Sequence, residues 1–136
     1  MNNKVFVYGT LRAGESNFRL IKEHVLRVTP AYIYGKMYDV GDYPAAVIDP
    51  GSPNVIYGEI IELDNPAIAF KKMDMLEEYY RPFDPRNDYE RVETEVFLPG
   101  GGQERCYIYV YTEERVKLLR HELKSVNGSS WNRKKE

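Results

Sequence analysis

One cysteine, Cys106, is all the thiol the chain carries, so an intramolecular disulfide is excluded. It lies in the run CYIYVY and reads as a buried strand residue, not an exposed nucleophile. Histidine is almost as scarce. His24 and His121 stand far apart in the charged segments IKEHVL and LLRHEL, where surface positions are expected. Without a His/Cys/Asp cluster at ligand spacing, no metal is expected. Neither a G-x-S-x-G elbow nor a Cys–His pairing offers a nucleophile. Excess positive charge is also missing: 19 Lys and Arg against 21 Asp and Glu leave a net −2, which gives no field to draw nucleic acid. The basic ending WNRKKE reads as a solvated tail. No apolar run approaches the roughly 18 residues that span a bilayer, and the opening MNNKVFVYG has no signal-peptide core. The expectation is a cytoplasmic protein with neither membrane nor nucleic acid as partner. There is no repeat, low-complexity stretch or linker, so the 136 residues predict one domain, 1–136.

What is present is aromatic and β-branched. Aromatics make up 13% of the residues and include 12 tyrosines, whose apolar body and polar tip suit strands around a half-wet cavity. KVFVY (4–8), AYIYGKMYDV (31–40), YPAAVID, NVIYGEIIEL (54–63), YERVETEVFL and ERCYIYVYT all read as strands. The last two alternate: Val92, Thr94, Val96 and Leu98 oppose Arg91, Glu93, Glu95 and Phe97, while Cys106, Ile108 and Val110 oppose Tyr107, Tyr109 and Tyr111. PGGGQ joins them as a hairpin. Gly35 and Gly58 fall inside strands, where glycine marks a bend or a close backbone approach. SNFRLIKEHVL predicts a short helix from Ser16 or Asn17. DNPAIAFKKMDMLEEYY predicts a longer one, capped by Asn65 with Pro66 at the first turn. A third is expected in EERVKLLRHEL, capped by Thr112 and ended near Asn127-Gly128. Asp39, Asp42 and Asp49 read as turn residues. Five or six strands around two or three helices, without strict alternation, give an α+β fold with a largely antiparallel sheet. The strand glycines would let that sheet close into a barrel.

Two places stand out for chemistry. At about 100° per residue, Glu78 shares a wheel face with Lys71 and Asp74, a solvated side. Glu77 instead falls within about 60° of Phe70, Met73 and Tyr80. A carboxylate there must be paired, protonated or used. An ion pair with Arg81 or Arg91 is the structural reading; a base with its pKa raised by apolar neighbours is the functional one. The second place is VFVYGTLRAGESN. A strand running into Tyr-Gly-Thr-Leu presents successive backbone N–H groups, and Gly9 lets an anion come close to them. GTLRAG lacks the Gly-Lys-Ser/Thr ending of a phosphate loop.

Taken together, VFVYGTLRAGESN, GEIIEL, MDMLEEYY, YERVETEV and the ending NGSSW resemble the gamma-glutamylcyclotransferase-like superfamily, and among it the small gamma-glutamylamine cyclotransferase-type members. The resemblance covers a core of about residues 4–111 plus that ending, with 112–136 as a C-terminal extension. It implies a compact mixed, mostly antiparallel β-barrel with two or three flanking helices. It also implies a lyase-type, cofactor-free release of 5-oxoproline from a small γ-glutamyl substrate. By position, Tyr8, Gly9, Thr10 and Leu11 would hold the γ-glutamyl part, and Glu77 would be the catalytic glutamate. Two departures stand out: Met73 replaces a leucine, and Glu78 replaces the family's glycine. The second motivates a rival expectation, a barrel that binds γ-glutamyl compounds without turning them over. The leaving amine and the oligomeric state are left open by the residues.

Overall fold

The computed structural model describes residues 1–39, 44–119 and 124–125. The chain order is β1 (Lys4–Val7), β2 (Val25–Asp39), β3 (Pro44–Ile48), β4 (Val55–Leu63), α1 (Pro66–Leu76), β5 (Glu90–Phe97), β6 (Gln103–Val110), α2 (Glu113–Leu119) and β7 (Lys124–Ser125). Five of these strands close on themselves. β2 pairs β4, β4 pairs β1, β1 pairs β6, β6 pairs β5, and β5 returns to β2 through Tyr32 opposite Phe97. All pairings are antiparallel except β1 with β6, so the α+β expectation of a mixed, mostly antiparallel barrel holds. The seam has a single register pair, and aromatic contacts reinforce it: Phe97 stacks on Tyr32 at 5.8 Å and meets Tyr34 edge-on at 5.2 Å, centroid to centroid.

The far half of β2, Gly35 to Asp39, leaves the barrel and pairs with β3. Both strand glycines mark close approach. A Cβ on Gly35 would come within 2.3 Å of the Val47 carbonyl oxygen, and one on Gly58 within 2.2 Å of that of Val7. Two apolar clusters fill the fold. Phe6, Ile33, Ile56, Val96, Cys106 and Ile108 belong to one; Val5, Ile61, Phe70, Met73, Tyr109 and Tyr111 belong to the other, beneath α1. The alternation along β6 thus splits as its sequence predicts. Cys106 is fully buried, and burial pushes its thiol up to about 12.

The first predicted helix does not form. SNFRLIKEHVL breaks into two 3-10 turns, Phe18–Leu20 and Lys22–His24, and Val25 already opens β2. Asn17 is the reason at the front end: its amide and side chain both turn back to Thr10 instead of capping a helix. Pairing of β2 with β4 takes over at the other end. His24 is not a free surface residue either. Its ring lies 3.3 Å from both Asp64 and Lys72, with the side chain only 13% exposed. Asp49 accepts from the Gly51 amide in a turn, as expected, whereas Asp39 ends a strand. Thr112 caps α2 by accepting from the Arg115 amide. His121, Asp42, the Asn127-Gly128 stop and the NGSSW motif lie outside the described residues.

Candidate active site

β1 delivers Tyr8 to the end of the barrel, and the chain then turns sharply at residues 9–12, closed by the Arg12 amide on the Gly9 carbonyl at 3.1 Å. Thr10 is pinned from the side, accepting from Asn17 through its hydroxyl at 2.9 Å and through its carbonyl at 2.9 Å. Leu11 drops into the core. Among the described residues, no acceptor pairs with the amides of Gly9, Thr10 or Leu11. Buried amides are almost always satisfied, so three adjacent free donors call for a solvent or ligand oxygen. Gly9 has no room for a side chain: a Cβ would sit 2.8 Å from Cγ of Pro44.

α1 brings in Glu77. Its C-terminus closes as a Schellman motif: the Tyr79 amide donates to the Asp74 carbonyl at 2.8 Å, and the Glu78 amide to that of Met75 at 3.3 Å. That closure requires a left-handed residue directly after the cap, and Glu78 supplies it with a φ of 53°. Glycine would suit this position by backbone shape, and Glu78 adopts that shape without being one. The helix stops there, so Tyr80 leaves the apolar stripe and is 55% exposed.

Glu77 itself turns inward. It lines a cleft together with Tyr8, Gly9, Thr10, Leu11, Pro44, Tyr89 and Tyr109. Every residue singled out from the sequence for the site thus meets in one hollow. Neither arginine suggested as a partner reaches Glu77: Arg91 grips Asp74 through two bonds of 3.0 and 2.9 Å, and Arg81 takes Asp84. Among the described residues, no cation lies at ion-pair distance from Glu77, and no donor reaches its carboxyl. Burial, and then the nearby Asp88 charge, push its pKa up to about 8.

The wheel's solvated face is corrected at Asp74. This carboxylate is half-buried between Arg91 and the Tyr109 hydroxyl, 2.6 Å away. Burial raises its pKa, while Tyr109 and Arg91 pull the other way. The tyrosines of the cleft serve the scaffold with their polar ends. The Tyr8 hydroxyl donates to the Tyr109 carbonyl at 2.6 Å and accepts from the Ala46 amide at 3.1 Å. The Tyr89 hydroxyl donates to the Pro44 carbonyl at 2.7 Å. Of the stripe Tyr107, Tyr109 and Tyr111, only Tyr109 lines the cleft; Tyr107 packs on Phe70 and Tyr111 on Tyr89. Pro44 and Tyr89 were not legible as site residues. Tyr89 heads the segment YERVETEV, just before β5, and could have been found there; nothing in its surroundings marks Pro44.

A small closed mixed barrel with flanking helices is the fold of AIG2-like proteins. The crystal structure of a mouse AIG2-like protein shares this fold, with a TM-score of 0.67 over 96% of this chain and 88% of that one at 22% identity. The family described as Gamma-glutamyl cyclotransferase, AIG2-like, matches residues 5–133, and the chain belongs to it. A relative in Niallia circulans, a gamma-L-glutamyl-butirosin B gamma-glutamyl cyclotransferase, is 37% identical over 81% of this chain and 67% of its own. The cattle gamma-glutamylaminecyclotransferase is 29% identical over 84% of this chain and 70% of its own. The protein is thus a gamma-glutamylcyclotransferase-type enzyme. Among the described residues no helix is long and apolar enough to cross a membrane, and no acidic, His or Cys group is placed to hold a metal.

Proposed function

We propose that the protein releases 5-oxoproline from a γ-glutamyl amine, with Glu77 as the proton carrier and the turn Tyr8–Leu11 as the grip on the substrate. The observation that carries this reading is an unpaired inward carboxyl lining the same cleft as three unused amides. Glu77, ionised, takes a proton from the substrate's α-ammonium. The freed nitrogen attacks the γ-carbonyl carbon of the same molecule and closes a five-membered ring. As the bond from that carbon to the leaving nitrogen breaks, Glu77 returns its proton to the departing amine, and the second proton of the ring nitrogen follows through the same carboxylate, so that the amine leaves as an ammonium and the lactam keeps one N–H. Protons balance, and no water or cofactor enters.

Ring closure within one molecule needs chiefly a folded-back substrate held still. The amides of Gly9, Thr10 and Leu11 suit the substrate's anionic oxygens, the α-carboxylate and the oxyanion that forms at the γ-carbon. Tyr8 contributes its ring and its hold on the turn, since its hydroxyl is engaged with Tyr109 and Ala46. The name of the cattle relative, a gamma-glutamylaminecyclotransferase, supports an amine as leaving group. The rival reading as a non-catalytic binder loses its motive, because Glu78 takes the left-handed conformation that the missing glycine would have supplied.

The test is a panel of γ-glutamylputrescine, γ-glutamyl-ε-lysine, γ-glutamylalanine and glutathione, assayed for 5-oxoproline. Product from at least one amide or peptide is expected. Thermal stabilisation by these compounds without product would overturn the reading.

A further inference from the structure

Tyr109 is bonded to both halves of the cleft. Its backbone carbonyl accepts the Tyr8 hydroxyl at 2.6 Å, at the start of the amide turn. Its own hydroxyl donates to Asp74 Oδ1, also at 2.6 Å, on the last turn of the helix that ends in Glu77. Asp74 is in turn fixed. Arg91, directly opposite Tyr109 in the β5–β6 ladder, binds both its oxygens, and the Arg91 guanidinium lies 5.1–5.2 Å from the rings of Phe70, Tyr79 and Tyr107. The backbone of Asp74 meanwhile accepts the Tyr79 amide that shapes the helix end around Glu77.

Apolar packing of Phe70 and Met73 holds α1 against the sheet, but such packing is non-directional and leaves small rotations and slides inexpensive. A short hydrogen bond to a carboxylate sets a direction and a length. We propose that Tyr109 is a positioning residue, a strut that fixes the spacing between the amide turn and the Glu77 carboxyl through Tyr8 on one side and Asp74 on the other. Arg91 is the anchor that keeps the far end of the strut from moving.

This inference rests on Glu77 as proton carrier, and the two fail differently. Replacement of Glu77 tests the carrier; removal of one hydroxyl, in Tyr109→Phe, tests the strut. Displacement by an ångström costs about 10²-fold in rate in well-aligned reactions. The full-length Tyr109→Phe variant, on whichever panel compound the wild type converts fastest, should therefore lose about tenfold to 10²-fold in kcat. Its KM and its affinity for 5-oxoproline, measured by calorimetry, should stay within about threefold, because the amides remain.

Asp74→Asn tests the anchor. Its amide oxygen still accepts from Tyr109, but the ion pair with Arg91 is gone. It should lose more thermal stability than Tyr109→Phe while losing less kcat, because the bond that spans the cleft is kept. The strut is overturned if Tyr109→Phe keeps wild-type kcat. It is equally overturned if kcat in the two variants merely follows their loss of thermal stability, or if no panel compound is turned over by the wild type at all.

Discussion

The Tyr79 amide donates to the Asp74 carbonyl at 2.8 Å, which closes α1 around Glu77 and leaves Glu78 at a φ of 53°. A side chain in the left-handed region costs roughly 1–2 kcal/mol relative to glycine. Glu78→Gly should therefore stabilise the protein by about 1 kcal/mol, raising the melting temperature by about 4 °C. Turnover should be unchanged, because the backbone around Glu77 stays as it is. Calorimetric melts of the two proteins measure this.

Gly9 faces the Pro44 ring, and a Cβ there would meet Cγ at 2.8 Å and Cδ at 3.0 Å. A proline ring is stiff, so the turn must shift. Gly9→Ala is expected to cost about 1–3 kcal/mol of stability. It should also raise KM, since the shift displaces the unused amides; steady-state kinetics beside urea melts would show both.

Tyr89 reaches the cleft wall by its hydroxyl, which satisfies the Pro44 carbonyl at 2.7 Å. Tyr89→Phe keeps the ring on Tyr111 but strips that carbonyl of its donor. A loss of about 1 kcal/mol is expected, with KM affected more than kcat. A variant as stable as wild type would show that the bond contributes nothing.

Burial holds the Glu77 pKa at about 8, above the ordinary glutamate value of 4.5. The folded state then binds a proton that the unfolded state gives up. Stability from this group is complete below pH 4.5, falls as pH rises from 4.5 to 8, and is lost above. Glutamine mimics the neutral acid. Glu77→Gln should therefore match wild type near pH 4 and exceed it by at least about 1 kcal/mol at pH 9. Urea unfolding at the two pH values reads the difference. An equal offset at both would show that the carboxyl titrates normally.

Much of this was legible before any coordinates. Asn65-Pro66 marks the start of α1, the alternation in YERVETEVFL and ERCYIYVYT marks the hairpin, and the wheel separates Glu77 from its neighbour. The failures have a common cause. A helical wheel sees one helix, so it turns Asp74 toward water; it cannot know that Arg91 and Tyr109 arrive from a hairpin remote in sequence. Tyr80 is misplaced because the wheel runs on through a left-handed residue that ends the helix. The apolar spacing in SNFRLIKEHVL satisfies a helix locally, but long-range pairing of Val25 onward with β4 outweighs it. Pro44 joins the site only through the closure of the fold, and no local pattern carries that.

The most direct measurement is 5-oxoproline release by wild type and Glu77→Gln at pH 9, on the same γ-glutamyl amine and with matched thermal melts. Loss of the proton carrier should lower the rate on the order of 10²–10⁴-fold while the fold is intact. A folded glutamine variant that turns over at the wild-type rate would contradict the assignment of Glu77.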